Sequence, residues 1–124
     1  MNIGFLEALK NGPWNCFIFH DVDLLPENPS NIYTCKKRPT HFSSAINKFN
    51  YSVPYEEYFG GVSAMLRSQF EKLNGFSNEF WGWGGEDDEI FLRIKAHKQK
   101  YYRLPTEIGR YEMVRHVRDK GNEA

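Results

Sequence analysis

The 124-residue sequence predicts an α/β protein, because its strongest strand signal lies between segments with helical periodicity. The run CFIF, residues 16–19, is apolar, has the length of a strand, and contains aromatic and β-branched side chains. NIGFLEALK before it and EDDEIFLRIKA after it repeat apolar residues at the spacing of amphipathic helices. One strong strand is too few for a doubly wound sheet, so we expect residues 1–124 to be the C-terminal part of a larger domain.

The first predicted helix lies at the start of the chain. Asn11 and Gly12 are typical of a helix end, and Pro13 cannot continue the helix. The apolar positions that we expect on its buried face are Ile3, Phe5, Leu6 and Leu9.

Residues 25–54 show no sustained periodicity and are rich in Pro, Asn, Ser, Lys and Thr. This composition predicts that most of the segment runs over the surface. Within it, HFSSAI and YSVPY are the two stretches that favour short strands.

Two helices and a strand-like tail are predicted in the remainder of the chain. In SQFEKLNGF, Ser68 and Glu71 have the spacing of a capping box, and Asn74-Gly75 is a stop signal. The longer helix begins with four acids, residues 86–89, and carries lysines towards its end, which complements the helix dipole. Its expected apolar face consists of Ile90, Phe91 and Ile94.

Charge and composition argue against several classes of partner. Sixteen basic and sixteen acidic residues leave no net charge, so we expect no nucleic-acid partner. No apolar run reaches 18 residues, so membrane anchoring would need a segment outside this chain.

Cys16 and Cys35 are either two buried thiols or one disulfide, and the residues alone leave both open.

Two acids follow the predicted strand. Asp21 and Asp23 are expected at its carboxyl end, where open α/β sheets bind ligands. Two carboxylates one residue apart suit a hard divalent cation that holds phosphate oxygens, although the same string is common in surface loops. Met113 and His116 add a thioether and an imidazole, and this mixed set favours manganese over calcium or magnesium. The alternative is a core methionine and an ordinary polar histidine.

The stretch WGWGGEDDEIF, residues 81–91, has a structural and a chemical interpretation. In the structural one the acids cap a helix and the tryptophans pack, and for Glu89 this explanation suffices. It leaves Gly82, Gly84 and Gly85 unexplained, because glycine is favoured where the backbone moves or approaches a ligand closely. Indole faces beside carboxylates are typical of a carbohydrate site, where rings cover sugar C–H surfaces and carboxylates bind hydroxyls.

Four motifs together resemble the β-1,4-galactosyltransferase family. They are FHDVDLLPENPSNIYTC, PYEEYFGGVSAM, LNGFSNEFWGWGGEDDEIFLRI and GRYEMVRHVRDKGNE, and they cover nearly the whole chain. The resemblance implies a GT-A fold and a manganese-dependent, inverting transfer of galactose from UDP-galactose to a terminal N-acetylglucosamine or glucose. It also implies a type II membrane protein of the Golgi, whose catalytic domain extends well before Met1.

The resemblance assigns roles to individual residues. Asp87 is implied to be the general base that removes the proton from the acceptor 4-hydroxyl. The implied manganese ligands are Asp23, Met113 and His116. The implied donor-binding residues are Asp21, Tyr58, Gly61 and Trp83, and Tyr58 is expected to select galactose over N-acetylgalactosamine. The implied acceptor-binding residues are Tyr55, Glu86 and Asp88.

The secretory location of the family also favours a disulfide between Cys16 and Cys35. Separately, the string NYS makes Asn50 an acceptor for N-glycosylation. Three alternatives to the galactosyltransferase interpretation remain: an N-acetylgalactosaminyltransferase of the same family, a non-catalytic sugar-binding domain, and a glycoside hydrolase with paired carboxylates.

Overall fold

The computed structural model describes residues 1–76 and 85–114, and within these residues it contains three α-helices and seven strands. The helices are α1 (Asn2–Lys10), α2 (Arg67–Lys72) and α3 (Glu86–Ala96), and a 3₁₀ turn spans Asn47–Phe49. The strands are β1 (Cys16–His20), β2 (Leu24–Pro26), β3 (Thr40–His41), β4 (Ala45–Ile46), β5 (Val62–Leu66), β6 (Tyr102–Arg103) and β7 (Arg110–Met113).

The strands form two sheets. The first has four strands in the order β1-β5-β3-β6, in which β5 pairs antiparallel with β1 and β3, and β6 runs parallel to β3. The second has the order β2-β7-β4, in which β7 pairs antiparallel with β2 and parallel with β4. β1 and β2 belong to different sheets, so the acidic turn between them connects the two.

Two hydrophobic clusters lie on opposite faces of β5. Side chains alternate along a strand, so Val62 and Ala64 contact one cluster and Met65 contacts the other. The cluster on the Met65 side also contains residues of all three helices, and the cluster on the Val62 side contains residues of the second sheet. The predicted α/β layering is therefore confirmed.

Only part of the predicted apolar face of α1 is buried. Phe5 is 7% exposed, whereas Ile3 and Leu6 are 75% and 58% exposed. The prediction that all four apolar positions face the core is wrong for these two. The reason is that α1 contacts the core chiefly through the ring of Phe5, which lies 4.5 Å from the ring of Phe70.

The segment predicted to run mostly over the surface is exposed or half-buried as expected, except that residues 39–46 are buried. HFSSAI contributes residues to β3 and β4, as predicted, but YSVPY supplies only an isolated bridge between Ser52 and Ile46. Polar side chains are buried in this stretch because they have hydrogen-bond partners. They are Thr40, His41, Ser43 and Ser44.

The predicted capping box of α2 is wrong. The helix begins at Arg67, and the backbone amide of Leu66 donates to Gln69 Oε1 at 2.8 Å. Gln69 therefore fills the capping role predicted for the pair of Ser68 and Glu71. Glu71 instead accepts from Arg67 Nε at 2.6 Å along the exposed side of the helix.

The other helix predictions are confirmed. α2 stops where Asn74 and Gly75 adopt φ angles of 59° and 66°. The face of α3 formed by Ile90, Phe91 and Ile94 is buried. In the described ranges, none of the helices has the length and apolar character needed to cross a bilayer.

Cys16 and Cys35 form a disulfide, with their Cα atoms 5.6 Å apart. The bridge joins the first residue of β1 to the segment that precedes β3. Asn50 is exposed and ends the 3₁₀ turn with a φ of 55°, so its side chain is accessible for the predicted glycosylation.

Candidate active site

The acidic turn after β1 is fixed at both ends by main-chain hydrogen bonds. The Asp21 amide donates to the Gly61 carbonyl at 3.0 Å, and the Val114 amide donates to the Asp23 carbonyl at 2.7 Å. Val22, between the two acids, is 99% exposed. The acids therefore lie at the carboxyl end of β1, where two sheets meet.

Pairing of β2 with β7 brings two predicted manganese ligands together. The register aligns Leu24 with Met113, so Met113 lies across from the residue next to Asp23. Met113 is half-buried and packs against the hydrophobic cluster that contains Leu24, so its role as a manganese ligand stays a prediction. Within residues 1–76 and 85–114 there is no cluster of three or more His, Cys, Asp or Glu side chains suited to a metal, and the third predicted ligand, His116, lies outside those residues.

Two acids and a tyrosine cluster at the start of α3. The Asp88 amide donates to Asp87 Oδ1 at 3.1 Å, and the Tyr55 hydroxyl donates to Asp88 Oδ1. Burial, the hydrogen bond to Asp88 and the charge of Asp87 raise the pKa of Tyr55, so its hydroxyl stays protonated. Three predicted site residues are thus in one place.

Tyr58 lies between this cluster and the acidic turn. A Cβ atom built on Gly60 would be 2.3 Å from Asp87 Oδ2 and 2.9 Å from the Tyr58 hydroxyl, so both atoms border the same small space. Burial, followed by the negative charges of Asp87 and Asp21, raises the pKa of Tyr58. The phenol therefore stays protonated, and it lies within electrostatic range of carboxylates from both α3 and the acidic turn.

Gly61 is required by backbone geometry. Its φ is +84°, a backbone conformation that residues other than glycine rarely adopt. A Cβ there would also lie 2.5 Å from Ser43 Oγ and 2.8 Å from Leu24 Cδ1. This close packing lets the Gly61 carbonyl reach the Asp21 amide, while its contact with a donor stays a prediction.

Several predicted positions lie outside the described residues. They are Trp83 and His116, together with the neighbouring glycines Gly82 and Gly84. Glu86 begins α3, and its side chain lies outside the description as well. The roles assigned to these residues stay predictions.

Sequence reasoning misses a buried polar network behind Tyr58. His41 Nε2 lies 2.8 Å from the Gly60 carbonyl oxygen, and Ser43 Oγ donates to the same oxygen at 2.7 Å. Arg103 Nε donates to His41 Nδ1 at 3.0 Å. The sequence feature that could have indicated this network is the run THFSSA, where His41 and Ser43 lie two residues apart, as side chains on one face of a strand do.

Comparison with known proteins establishes the family. Residues 40–117 match the family described as the N-terminal domain of galactosyltransferase, and residues 1–36 match the N-terminal region of glycosyl transferase group 7. The chain belongs to the β-1,4-galactosyltransferase family.

Curated β-1,4-galactosyltransferases are closely similar to this chain. β-1,4-Galactosyltransferase 4 of Rattus norvegicus is 55% identical over 123 residues, which make up 99% of this chain and 36% of that protein. β-1,4-Galactosyltransferase 3 of Homo sapiens is 55% identical over 124 residues, which make up 99% of this chain and 32% of that protein. The chain thus spans about a third of the length of the curated relatives it matches.

Solved β-1,4-galactosyltransferases share the fold. A mutant of Drosophila β-1,4-galactosyltransferase 7 in complex with manganese, UDP-Gal and xylobiose has a TM-score of 0.77 and 26% identity, covering 97% of this chain and 55% of that one. The catalytic domain of the Drosophila enzyme with xylobiose has a TM-score of 0.77 and 27% identity. The expected family and the expected GT-A fold are therefore confirmed.

Proposed function

We propose that the protein transfers galactose from UDP-galactose to the 4-hydroxyl of a terminal N-acetylglucosamine or glucose, with inversion and with manganese as cofactor. Membership of the β-1,4-galactosyltransferase family supports the reaction class. The observation that carries the proposal is the position of Tyr58, whose hydroxyl lies near Asp87 of α3 and within electrostatic range of Asp21 in the turn after β1. Residues 1–124 are proposed to be the C-terminal part of the catalytic domain.

Asp87 is the proposed general base. Its carboxylate takes the proton of the acceptor 4-hydroxyl while that oxygen bonds to the anomeric carbon of galactose and the bond from this carbon to the UDP phosphate oxygen breaks. Attack on the face opposite UDP inverts the configuration. Proton transfer of this kind contributes about 10²–10⁴-fold to a rate. Asp88, held by the Tyr55 hydroxyl, and Glu86 are proposed to bind the acceptor hydroxyls.

The donor side is built on the acidic turn. The adjacency of Asp23 and Met113 supports these two residues, with His116, as the manganese ligands. When bound, manganese neutralises charge that develops on the departing diphosphate. The residues proposed to contact the donor are Asp21, Tyr58, Gly61 and Trp83.

We also propose that the full-length protein acts in the Golgi lumen and is anchored through a segment outside this chain. The disulfide between Cys16 and Cys35 supports a secretory compartment, because disulfides persist where the environment is oxidising. Localisation of the tagged full-length protein by microscopy tests this proposal, and a cytosolic signal would contradict it.

The proposed reaction is tested with the full-length protein, UDP-galactose, manganese and N-acetylglucosamine. We expect Asp87→Asn to lower transfer at least about 10²-fold without weakening UDP binding in the presence of manganese, because the base acts on the acceptor. Glu89→Gln is the control, since Glu89 lies on the same helix and pairs with Arg93. Transfer by Asp87→Asn within a few-fold of the parent would remove Asp87 from this role.

Two further outcomes separate the alternatives. Cleavage of a galactoside without nucleotide or metal would favour a glycoside hydrolase, and sugar binding without UDP release would favour a non-catalytic domain. Manganese titrations that are unchanged in Asp23→Ala would remove Asp23 from the ligand set.

A further inference from the structure

The segment from residue 55 to residue 61 carries three proposed site residues, yet it contains neither helix nor strand. Side chains from the strands behind it hold its backbone in place. Arg103, on β6, donates from one guanidinium nitrogen to the carbonyls of Glu56 and Tyr58. One planar guanidinium thus fixes two peptide groups of the segment. In a strand, hydrogen bonds to the neighbouring strand would hold these groups instead.

A second attachment lies two residues further along the segment. His41 and Ser43 both reach the Gly60 carbonyl oxygen, at 2.8 Å and 2.7 Å. The Ser43 hydroxyl also accepts from the Val62 amide at 2.9 Å. His41 and Ser43 are 0% and 1% exposed, so these bonds form away from water.

The bonding partners determine the tautomer of His41. A carbonyl can only accept, so Nε2 carries the proton towards Gly60; a guanidinium can only donate, so Nδ1 presents its lone pair to Arg103. Burial, as the largest cause, lowers the pKa of His41 to about 3, and the ring is therefore neutral near pH 7. The imidazole acts as a directional hydrogen-bonding link between Arg103 and Gly60.

Gly60 connects this link to the proposed base. One of its Cα hydrogens faces the space bordered by Asp87 Oδ2 and the Tyr58 hydroxyl, and its carbonyl is the group that His41 holds. A shift of the Gly60 peptide would therefore change the spacing between Tyr58 and Asp87.

We propose that His41 is a positioning residue of the transfer reaction, whose Nε2–H bond to Gly60 sets the placement of Tyr58 against Asp87. This inference rests on the proposed function, in which Asp87 is the base. His41 is fully buried, so it acts through Gly60 and through its ring, which lies edge-on with its centroid 5.4 Å from that of Tyr58. Misplacement of reacting groups by about 1 Å can lower a rate about 10²-fold, which is the size of effect expected here.

Two amide substitutions separate the roles of the two ring nitrogens. Glutamine carries its amide nitrogen at the same number of bonds from Cβ as Nε2, so His41→Gln keeps a donor for Gly60. Asparagine carries its amide oxygen at the same number of bonds from Cβ as Nδ1, so His41→Asn keeps an acceptor for Arg103 and loses the donor. Both variants bury one primary amide, so they are matched in polarity.

In the full-length protein, we expect His41→Asn to lower kcat about 10²-fold and His41→Gln to stay within about threefold of the parent. UDP affinity in the presence of manganese should be equal in both, and their unfolding midpoints should be similar. Equal losses of kcat in the two variants, or no loss in His41→Asn, would overturn the proposal.

Arg103→Lys decides the question if His41→Asn fails to fold. Lysine keeps the charge, but all its donors are on one nitrogen. It therefore cannot replace both Arg103 Nε, which binds Nδ1, and the terminal nitrogen that binds the two carbonyls. We expect the KM for the acceptor to rise about tenfold, as for one or two weakened hydrogen bonds, and UDP affinity in the presence of manganese to stay unchanged. Arg67→Lys is the control, because Arg67 pairs with Glu71 on its own helix. An unchanged acceptor KM in Arg103→Lys would overturn the proposal.

Failure of the proposed function can be told apart from failure of this inference. If the parent transfers no sugar, the proposed function fails, and His41 is then judged by N-acetylglucosamine binding to the protein loaded with manganese and UDP. Weaker binding in His41→Asn than in His41→Gln supports the positioning role, and equal binding overturns it. Nitrogen-15 NMR provides a readout independent of ligands: a proton on Nε2 over about pH 5–8 is expected, and a proton on Nδ1 overturns the assignment.

Discussion

Gly60 is the residue that allows the segment before β5 to approach Asp87. We expect Gly60→Ala to lower transfer by about 10²-fold, because the added methyl would displace either Asp87 Oδ2, 2.3 Å away, or the Tyr58 hydroxyl, 2.9 Å away. The measurement is kcat for galactose transfer by the full-length variant. UDP binding should be unaffected, because Asp87 is the proposed base and Tyr58 is proposed to contact the galactose of the donor, not its nucleotide.

Gly4→Ala is the matched control for this substitution. A Cβ on Gly4 meets no atom within 4 Å, and Gly4 lies inside α1. Alanine there should leave transfer unchanged and raise stability by about 0.5–1 kcal/mol through helix propensity. Comparable transfer by the two alanine variants would show that the space at Gly60 does not matter.

Tyr58 is expected to determine the donor sugar. Its ring is proposed to lie against the 2-substituent, where galactose has a hydroxyl and N-acetylgalactosamine a larger acetamido group. Tyr58→Leu should therefore lower the preference for UDP-galactose over UDP-N-acetylgalactosamine by about 10–200-fold. The measurement is the ratio of kcat/KM for the two donors at saturating manganese.

Tyr55→Leu provides the comparison for the donor test. Tyr55 donates to Asp88 on the acceptor side, so its loss should change acceptor binding and leave the donor ratio in place. If Tyr58→Leu left the ratio of kcat/KM for the two donors unchanged, Tyr58 would lie outside the donor pocket.

Site residues differ in how far the sequence alone reveals them. Asp21, Asp23 and Asp87 stand in motifs whose residue types already suggest metal and sugar chemistry, so the sequence alone singles them out. His41 was not predicted, because its partners are Gly60 and Arg103, which are 19 and 62 residues away in the chain. A contact of that kind has no local pattern.

At the scale of elements, β3 carries a buried histidine that should make stability depend on pH. The folded pKa of His41, about 3, lies below its ordinary value of 6.5. As pH falls from about 6.5 towards about 3, the unfolded state takes up a proton that the folded state does not, so stability falls by up to about 1.4 kcal/mol per pH unit. Above this window the histidine is neutral in both states and its contribution is fully present.

Denaturant unfolding of the full-length protein between about pH 4 and 6 measures this effect. The slope of stability against pH should be smaller in His41→Gln than in the parent, because glutamine does not titrate. Arg103 and Tyr58 are the titratable groups that contact the ring, and both remain in the variant. Parallel slopes in the two proteins would contradict the expected contribution.

The disulfide ties β1 to the segment that leads into β3. These two strands flank β5 on either side, and the bridge closes a loop with a sequence separation of 19. Replacing both cysteines by serine should lower the free energy of unfolding by about 3 kcal/mol, chiefly because the unfolded chain becomes less restricted. Chemical denaturation of the full-length protein measures the change. A reducing agent should lower the stability of the parent but not of the variant, and identical behaviour of the two would argue against a stabilising bridge.

Helices and strands also differ in how far the sequence alone predicts them. β1 and α3 were predicted because a continuous apolar run and a repeated apolar spacing can be recognised over five and eleven residues. β3 and β4 have two residues each, which is too short for any periodicity to be recognised. HFSSAI nevertheless favoured short strands there, but its burial depends on hydrogen bonds from distant parts of the chain.

At the scale of the whole molecule, two parts of the proposed site come from different layers. The acidic turn connects the two sheets, and Asp87 and Asp88 begin a helix that covers the first sheet. Between them runs the segment before β5, which carries Tyr55 and Tyr58. The arrangement places the proposed donor groups and the proposed acceptor groups on either side of one short stretch of chain.

The hydrogen bond from the Asp21 amide to the Gly61 carbonyl joins the acidic turn to this stretch, so we expect the binding of the two proposed ligands to be coupled. If donor binding shifts the turn, it shifts the acceptor segment with it, and the resulting coupling free energy must be reciprocal: the acceptor raises donor affinity by the same factor. A double-mutant cycle with Asp21→Asn and Tyr55→Phe should therefore show non-additive effects on the free energy of acceptor binding to the donor complex, by more than about 0.5 kcal/mol. Strict additivity would mean that the two ligands bind independently. If the effects are not additive, donor and acceptor bind cooperatively.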